Sequence, residues 1–150
     1  MSAESVMAYE SLKAVSQGQA APESFRMAWG VHEGMRGANW IMLDCDGRVL
    51  TNTIKPTRGP FVPQKPTEVG QVSAAEVQTF CAILCAQRFD MLDLPEPGPA
   101  DLSGAVVEFS ISMPNARYSI KCPSPKLDDV YALAEIGNQF RDLKTRFAPA

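Results

Sequence analysis

The sequence predicts an α+β fold, with a five-stranded, mainly antiparallel sheet in the order β-β-β-α-β-β-α, two helices on one face and a short N-terminal helix. A strand–strand–helix order occurs twice, at residues 40–91 and 106–147, and an extra strand at 25–31 precedes the first round. Both strand groups have an apolar face. A single layer of helices packed on one side of the sheet would bury both of these apolar faces.

The first 22 residues are predicted to form a short helix and a tether. Ser2 is a suitable N-cap and Gly18 a suitable end for this weakly amphipathic helix, and residues 16–22 have linker composition. Residues 23–150 are of a length typical of a single α+β domain. The sequence leaves open whether the N-terminal helix packs against that domain.

Three strands are predicted next. Residues 25–31 alternate between apolar and polar side chains, which indicates a strand with one buried face. Glycines at 34 and 37 favour a turn, and the dense apolar run 40–43 is typical of a central strand. Asp46 and Gly47 are typical of a hairpin that leads into a third strand at 48–54.

A long connection, residues 55–72, follows the third strand. It contains four prolines, which disfavour both helix and sheet and favour extended backbone. A connection of more than about 15 residues is uncommon in a compact domain and is usually functional. We therefore expect this segment to be an extended loop.

The rest of the chain contains two helices and a hairpin. Ser73 and Glu76 form a capping box, so a helix begins there. Residues 107–113 and 117–122 alternate around a turn at Pro114, which predicts a hairpin. The last helix is predicted to begin at Ser124 and Pro125. Its predicted buried stripe contains Leu127, Val130, Ala134, Gly137, Phe140, Leu143 and Phe147.

Composition narrows the class of protein. The chain has 150 residues, of which 45% are apolar and 21% charged, as in ordinary globular proteins. No apolar run approaches the roughly 20 residues of a spanning helix, and residues 1–14 lack the pattern of a secretory signal. A net charge of −3 argues against nucleic acid as a partner. We expect a cytoplasmic protein that binds neither nucleic acid nor membrane.

The four cysteines do not have the spacing of a metal site. Cys45, Cys81, Cys85 and Cys122 contain no C-x-x-C pair. Cys81 and Cys85 lie four residues apart beside the apolar stripe of a predicted helix, where a free thiol acts as a small apolar group. We expect all four to be reduced, with no metal and no cofactor bound.

Catalytic residues are not evident. His32 is the only histidine, and its neighbour Glu33 would point to the opposite face of a strand, so an exposed strand histidine is expected. The segment 44–47 lacks the ligands of a calcium loop, whose twelfth position here is Lys55. Asp90 and Asp93 are expected to be ordinary solvated carboxylates. These patterns indicate a protein that is not an enzyme.

The order of elements resembles that of a family of small bacterial proteins, the emfourin-like family, which includes a proteinaceous inhibitor of thermolysin-like metalloproteases. The resemblance covers residues 25–147, and the segments 1–22 and 55–72 depart from it in length. The shared features are a glycine turn at 33–37, an aspartate–glycine hairpin at 44–47, a capped helix at 73–76, an aromatic-to-Leu-Pro segment at 88–95, and a strand hairpin before a proline-started helix.

The resemblance implies a non-catalytic protein-binding module, with a protease, and specifically a metalloprotease, as a candidate partner. The alternative is an accessory subunit or regulatory partner in a larger intracellular assembly. Arginine and phenylalanine are effective interface anchors, and prolines reduce the entropy lost on binding. The predicted contact residues are Met35 and Arg36 in the glycine turn, and Arg58, Phe61 and Val62 in the proline-rich connection. Packing of Phe61 and Val62 onto the sheet is the alternative for that connection.

Overall fold

A six-stranded antiparallel sheet forms the centre of the fold. The structure is a computed structural model that describes residues 2–33, 37–54, 65–94 and 104–147. Its strands are β1 (Arg26–His32), β2 (Ala38–Asp44), β3 (Arg48–Ile54), β4 (Thr67–Gln71), β5 (Val106–Met113) and β6 (Ala116–Pro123). They lie in the order β4-β3-β2-β1-β5-β6, and each neighbouring pair is antiparallel. The predicted α+β class and antiparallel sheet are confirmed.

The prediction of five strands is wrong, because β4 forms within the segment that was expected to be an extended loop. The prolines of that segment end at Pro66, so every residue of β4 keeps its N–H for the ladder. β4 pairs with β3 through a register shift between Val49 and Leu50. An edge strand tolerates such an irregularity, and it also tolerates Gly70 within β4.

Three α-helices pack with one face of the sheet into a single apolar core. They are α1 (Ala3–Ser16), α2 (Ala74–Ala86) and α3 (Tyr131–Phe147), and short 3₁₀ helices span Phe89–Met91 and Ser124–Asp129. Met27 and Trp29 of β1 belong to this core, and so do Ala8 and Leu12 of α1, which are fully buried. The N-terminal helix therefore packs against the sheet and α2. The domain boundary after residue 22 stays a prediction.

Both predicted helix caps are confirmed. Ser2 Oγ accepts a hydrogen bond from the Ser5 N–H at 3.1 Å, and Ser73 Oγ accepts one from the Glu76 N–H at 3.2 Å. Each cap satisfies a backbone donor that the first turn of a helix leaves free. None of the described helices is long and apolar enough to cross a membrane.

The predicted start of the last helix is wrong. Residues 124–129 form a 3₁₀ helix, and Val130 has φ −117° and ψ 81°, which separates that turn from α3. Three members of the predicted stripe, Gly137, Phe140 and Leu143, are buried in α3 as predicted. Because α3 begins only at Tyr131, the other buried side chains of the helix are Leu133 and Ile136, whereas Leu127, Val130, Ala134 and Phe147 are half-buried.

Candidate functional site

The face of the sheet opposite the helices carries two clusters of charged side chains. We call this side the polar face; it bears Arg26, Ala28, Gly30 and His32 of β1 together with their cross-strand partners. Gly30 lies between Trp40 of β2 and Glu108 of β5. Because alternate residues of a strand point to opposite sides, this face is distinct from the one that packs in the core.

The first cluster surrounds Glu108, whose side chain is only 5% exposed. His32 Nε2 lies 3.0 Å from Oε1, while Ser119 Oγ donates to Oε2 at 2.7 Å and Arg117 Nη2 donates to Oε2 at 2.9 Å. Burial alone would raise the pKa of Glu108. The hydrogen bonds from His32 and Ser119 and the charge of Arg117 outweigh that effect and hold the pKa below its ordinary value.

A glycine–tryptophan contact positions this cluster. A Cβ atom added at Gly30 would lie 2.6 Å from the indole ring of Trp40, so the ring rests directly on the glycine backbone. The His32 ring meets the same indole edge to face, with centroids 5.2 Å apart. Trp40 thereby supports His32 from one side while Glu108 holds it from the other.

Acid should remove the contribution of Glu108 to stability. Its pKa is lower in the folded protein than in the unfolded chain, so the contribution is complete above the unfolded pKa of about 4.3 and is lost as pH falls through the folded pKa. We expect Glu108→Gln to lower the free energy of unfolding at pH 7 by roughly 1–3 kcal/mol. Urea titrations from pH 7 to pH 3 should show this difference shrinking below about pH 4.

Glu68→Gln is the matched control, because Glu68 is exposed on the edge strand β4. Its effect should stay within about 0.5 kcal/mol at every pH. A Glu108→Gln difference that is the same at pH 7 and pH 3 would contradict the assignment of an ionised, hydrogen-bonded carboxylate.

The second cluster surrounds Asp44 at the other end of β1. Arg26 donates through Nε to Oδ1 and through Nη2 to Oδ2, the latter at 3.1 Å, and Arg48 Nη2 lies 3.0 Å from Oδ2. The hydrogen bond to Asp44 raises the pKa of the Arg26 guanidinium. The three side chains, with Cys45 and Asp46, line a cavity of about 300 Å³. The predicted hairpin brings Arg48 back to Asp44, since the Gly47 N–H donates to Asp44 O at 2.9 Å.

An apolar strip lies between the two charged clusters. Ala28, Met42 and Leu50 are buried against one another, and Trp40 packs beside them, half-buried. The cations at either end are more accessible than their carboxylates: the side chains of Arg48 and Arg117 are 47% and 56% exposed. The strip itself is covered, since Ala28, Met42 and Leu50 are only 6–7% exposed, so the arginines are the accessible groups of this face.

The predicted contact residues lie outside the described part of the chain. These residues are Met35, Arg36, Arg58, Phe61 and Val62. Among the described residues, the Glu33 N–H donates to Gly37 O at 2.8 Å, directly after His32 in β1. Their role in binding stays a prediction.

Two expectations about single side chains need correction. His32 was expected to be an exposed strand histidine; its side chain is 37% exposed and has Glu108 as a partner. Asp90 was expected to be solvated but is buried, and Arg88 donates to its two carboxylate oxygens at 2.9 and 2.7 Å. The contact between His32 and Glu108 depends on strands that are distant in the sequence. The contact between Arg88 and Asp90 depends on a turn in which the backbone of Arg88 is left-handed, with φ 50°.

The cysteines are free thiols, and three are buried. Burial raises the pKa of Cys81 to about 12 and that of Cys85 to about 11, so both are protonated at neutral pH. Within the described ranges, no group of three potential ligands could hold a metal ion. The reactive thiolate form is therefore suppressed at these two positions.

The fold and site define an α+β protein with an antiparallel sheet and a paired-charge surface on one face. No protein-family model matches the chain, and no curated protein matches its sequence. A fold by itself does not determine a function.

Proposed function

We propose that this chain is a non-catalytic protein-binding module whose polar face contacts another protein. The observation that carries the proposal is the fixed placement of accessible arginines at both ends of the polar face. Asp44 orients Arg48, and Glu108 orients Arg117. Both arginines belong to strands rather than loops and are held by ion pairs. Little conformational entropy is therefore lost when their side chains contact a partner.

The chemistry of the clusters favours binding over catalysis. His32 contacts Oε1 of the Glu108 carboxylate, while Arg117 and Ser119 donate to its Oε2. A nucleophile–base pair instead requires the hydroxyl and the imidazole to bond each other. The arrangement thus keeps Glu108 ionised and the surface rigid.

A protease is the candidate partner, and this chain would act as its inhibitor. The order of elements at residues 25–147 resembles the emfourin-like family, which includes an inhibitor of thermolysin-like metalloproteases. Glu33 and Gly37, which flank the predicted contact residues Met35 and Arg36, are hydrogen-bonded to each other next to His32 on the polar face. Hydrolysis of a peptide substrate by thermolysin, with and without this protein, tests the inhibitor assignment.

Removing the two accessible arginines should weaken partner binding. Arg48→Ala with Arg117→Ala leaves Asp44 paired with Arg26 and Glu108 paired with His32 and Ser119, so the fold is retained. We expect recovery of the partner by affinity capture from the native organism's lysate to fall roughly tenfold, as for interface arginines elsewhere. Quantitative mass spectrometry of the captured proteins measures this change.

The matched control is Arg141→Ala with Lys144→Ala, which removes the same charge from exposed positions on α3. This control should recover the partner as well as the unmodified chain does. Equal recovery by all three baits, or no specific partner at all, would overturn the proposal. Capture of a partner without inhibition of thermolysin would overturn only the inhibitor assignment.

A second candidate function is that of an accessory subunit in a larger assembly. The observation that favours it is the position of β6 as the last strand of the described sheet. A subunit would be captured as a stoichiometric complex of several proteins, whereas a protease inhibitor would be captured with one enzyme. Size-exclusion chromatography of the captured material separates the two.

A further inference from the structure

The outer edge of β6 presents backbone hydrogen-bonding groups at alternate residues. A two-residue turn joins Met113 to Ala116, and at the other end of the hairpin the Ser124 N–H donates to Ala105 O at 2.8 Å. This register makes residues 118, 120 and 122 the positions that exchange hydrogen bonds with β5. Residues 117, 119 and 121 therefore direct their N–H and C=O groups away from β5.

The side chains of β6 follow the same alternation. Tyr118, Ile120 and Cys122 are buried in the core, while Arg117, Ser119 and Lys121 are exposed on the polar face. Lys121 lies directly across from Glu108, yet Arg117 makes the ion pair with that carboxylate. The edge thus carries two cations four residues apart on one side of the sheet.

The other side of this edge is bordered by α1. Among the strands, β6 is the main contact of that helix. A further strand beside β6 would therefore have a basic border on the polar face and the helix α1 on the opposite side of the sheet.

From this geometry we infer that β6 is a docking edge for an extended segment of a partner protein in which every second residue is acidic. The segment adds to the described sheet as a further strand, with its acidic side chains beside Arg117 and Lys121. Main-chain bonds supply affinity in this mode of recognition, and alternate side chains supply specificity. The inference rests on the proposed protein-binding function and names the chemistry of the partner.

A second copy of this chain is a poorer occupant of the edge. Antiparallel self-pairing that uses residues 117, 119 and 121 centres on Ser119 and places Arg117 of each copy opposite Lys121 of the other. Like charges directly opposite are destabilising in a sheet. Pro123 lacks an N–H, so it ends the run of donors and limits pairing to this short stretch.

The test uses a fluorescent eight-residue peptide of alternating glutamate and valine, with a lysine–valine peptide of the same length as its counterpart. Lys121→Pro removes an outward N–H without removing a ladder hydrogen bond, and Lys121→Glu reverses the charge while keeping the backbone donor. Lys144→Glu, an exposed change on α3, is the matched control. Fluorescence anisotropy gives each affinity, and hydrogen exchange of the amides at 117, 119 and 121 reports pairing.

We expect the glutamate peptide to bind and to slow exchange at these three amides. Both Lys121 variants should weaken binding roughly tenfold or more, and Lys144→Glu should stay within about twofold. If Lys121→Pro does not fold, Lys121→Glu alone decides the result. Equal binding of the two peptides, unchanged affinity in a folded Lys121 variant, or no binding at millimolar peptide overturns the inference.

Sedimentation that shows a dimer of the unmodified chain that is lost in Lys121→Pro and kept in Lys121→Glu would also overturn the inference, in favour of a second copy as occupant, because Lys121→Glu places a glutamate opposite Arg117 of the other copy. The outcome is separable from that of the proposed function. If the captured partner depends on Arg48 and Arg117 but binds Lys121→Glu normally, the docking edge fails while the protein-binding function stands.

Discussion

Replacement of Phe140 by alanine should lower the free energy of unfolding by roughly 3–5 kcal/mol. The side chain is fully buried at the centre of the core. Its ring lies 6.3 Å from that of Trp29, 5.0 Å from Phe80 and 6.1 Å from Phe109, measured between centroids. Because it joins α3 to both α2 and the sheet, its removal leaves a cavity that the surrounding elements cannot close independently. For a chain of this length the melting temperature should fall by roughly 10 °C.

Tyr131→Ala on the same helix is the control, since Tyr131 is 72% exposed. Thermal unfolding followed by circular dichroism should show it within about 0.5 kcal/mol of the unmodified chain. Similar losses for the two variants would mean that α3 does not pack in the core through Phe140.

Gly47→Ala should be the most damaging change in a turn, with a loss of roughly 2–4 kcal/mol. Gly47 has φ 96°, a region that residues with a side chain rarely adopt. An added Cβ would also lie closer than contact distance to the carbonyl oxygen of Val72. That oxygen belongs to backbone held in place by the hydrogen bond from the Val72 N–H to Gly47 O at 2.9 Å. Urea titration at pH 7 measures the loss.

Gly104→Ala provides the comparison, because a Cβ at Gly104 would have no atom within 4 Å. It should be neutral or slightly stabilising, since alanine reduces the freedom of the unfolded chain. A Gly47→Ala variant as stable as Gly104→Ala would contradict the described turn and its contact with Val72.

Local signals in the sequence predicted the elements that depend on neighbouring residues. The caps at Ser2 and Ser73 and the hairpin at Gly47 each involve groups within a few positions of one another. β4 was missed because the prolines before it dominated the pattern, although an edge strand needs only one neighbour. The start of α3 was missed because Val130 breaks the helix without glycine or proline.

The side-chain pairs of the site could not be predicted from neighbouring residues in the sequence. His32 and Glu108 are 76 positions apart, and they meet only because β1 and β5 are adjacent in the sheet. The alternation of each strand did indicate which side chains share a face. Which strands lie side by side, and in which register, is set by packing of the whole core.

The pairing of β1 with β5 also determines how the fold can be assembled. The strands β1 to β4 are joined in chain order, as are β5 and β6, so each group closes through near neighbours. The seam between the groups, where Met27 pairs with Ile111, joins segments about 80 residues apart and carries most of the loop-closure cost. Arg26, Asp44 and Arg48 all belong to the first group, whereas the contact between His32 and Glu108 exists only after the seam has closed. A partner that binds both clusters therefore discriminates the fully folded chain from a half-folded one.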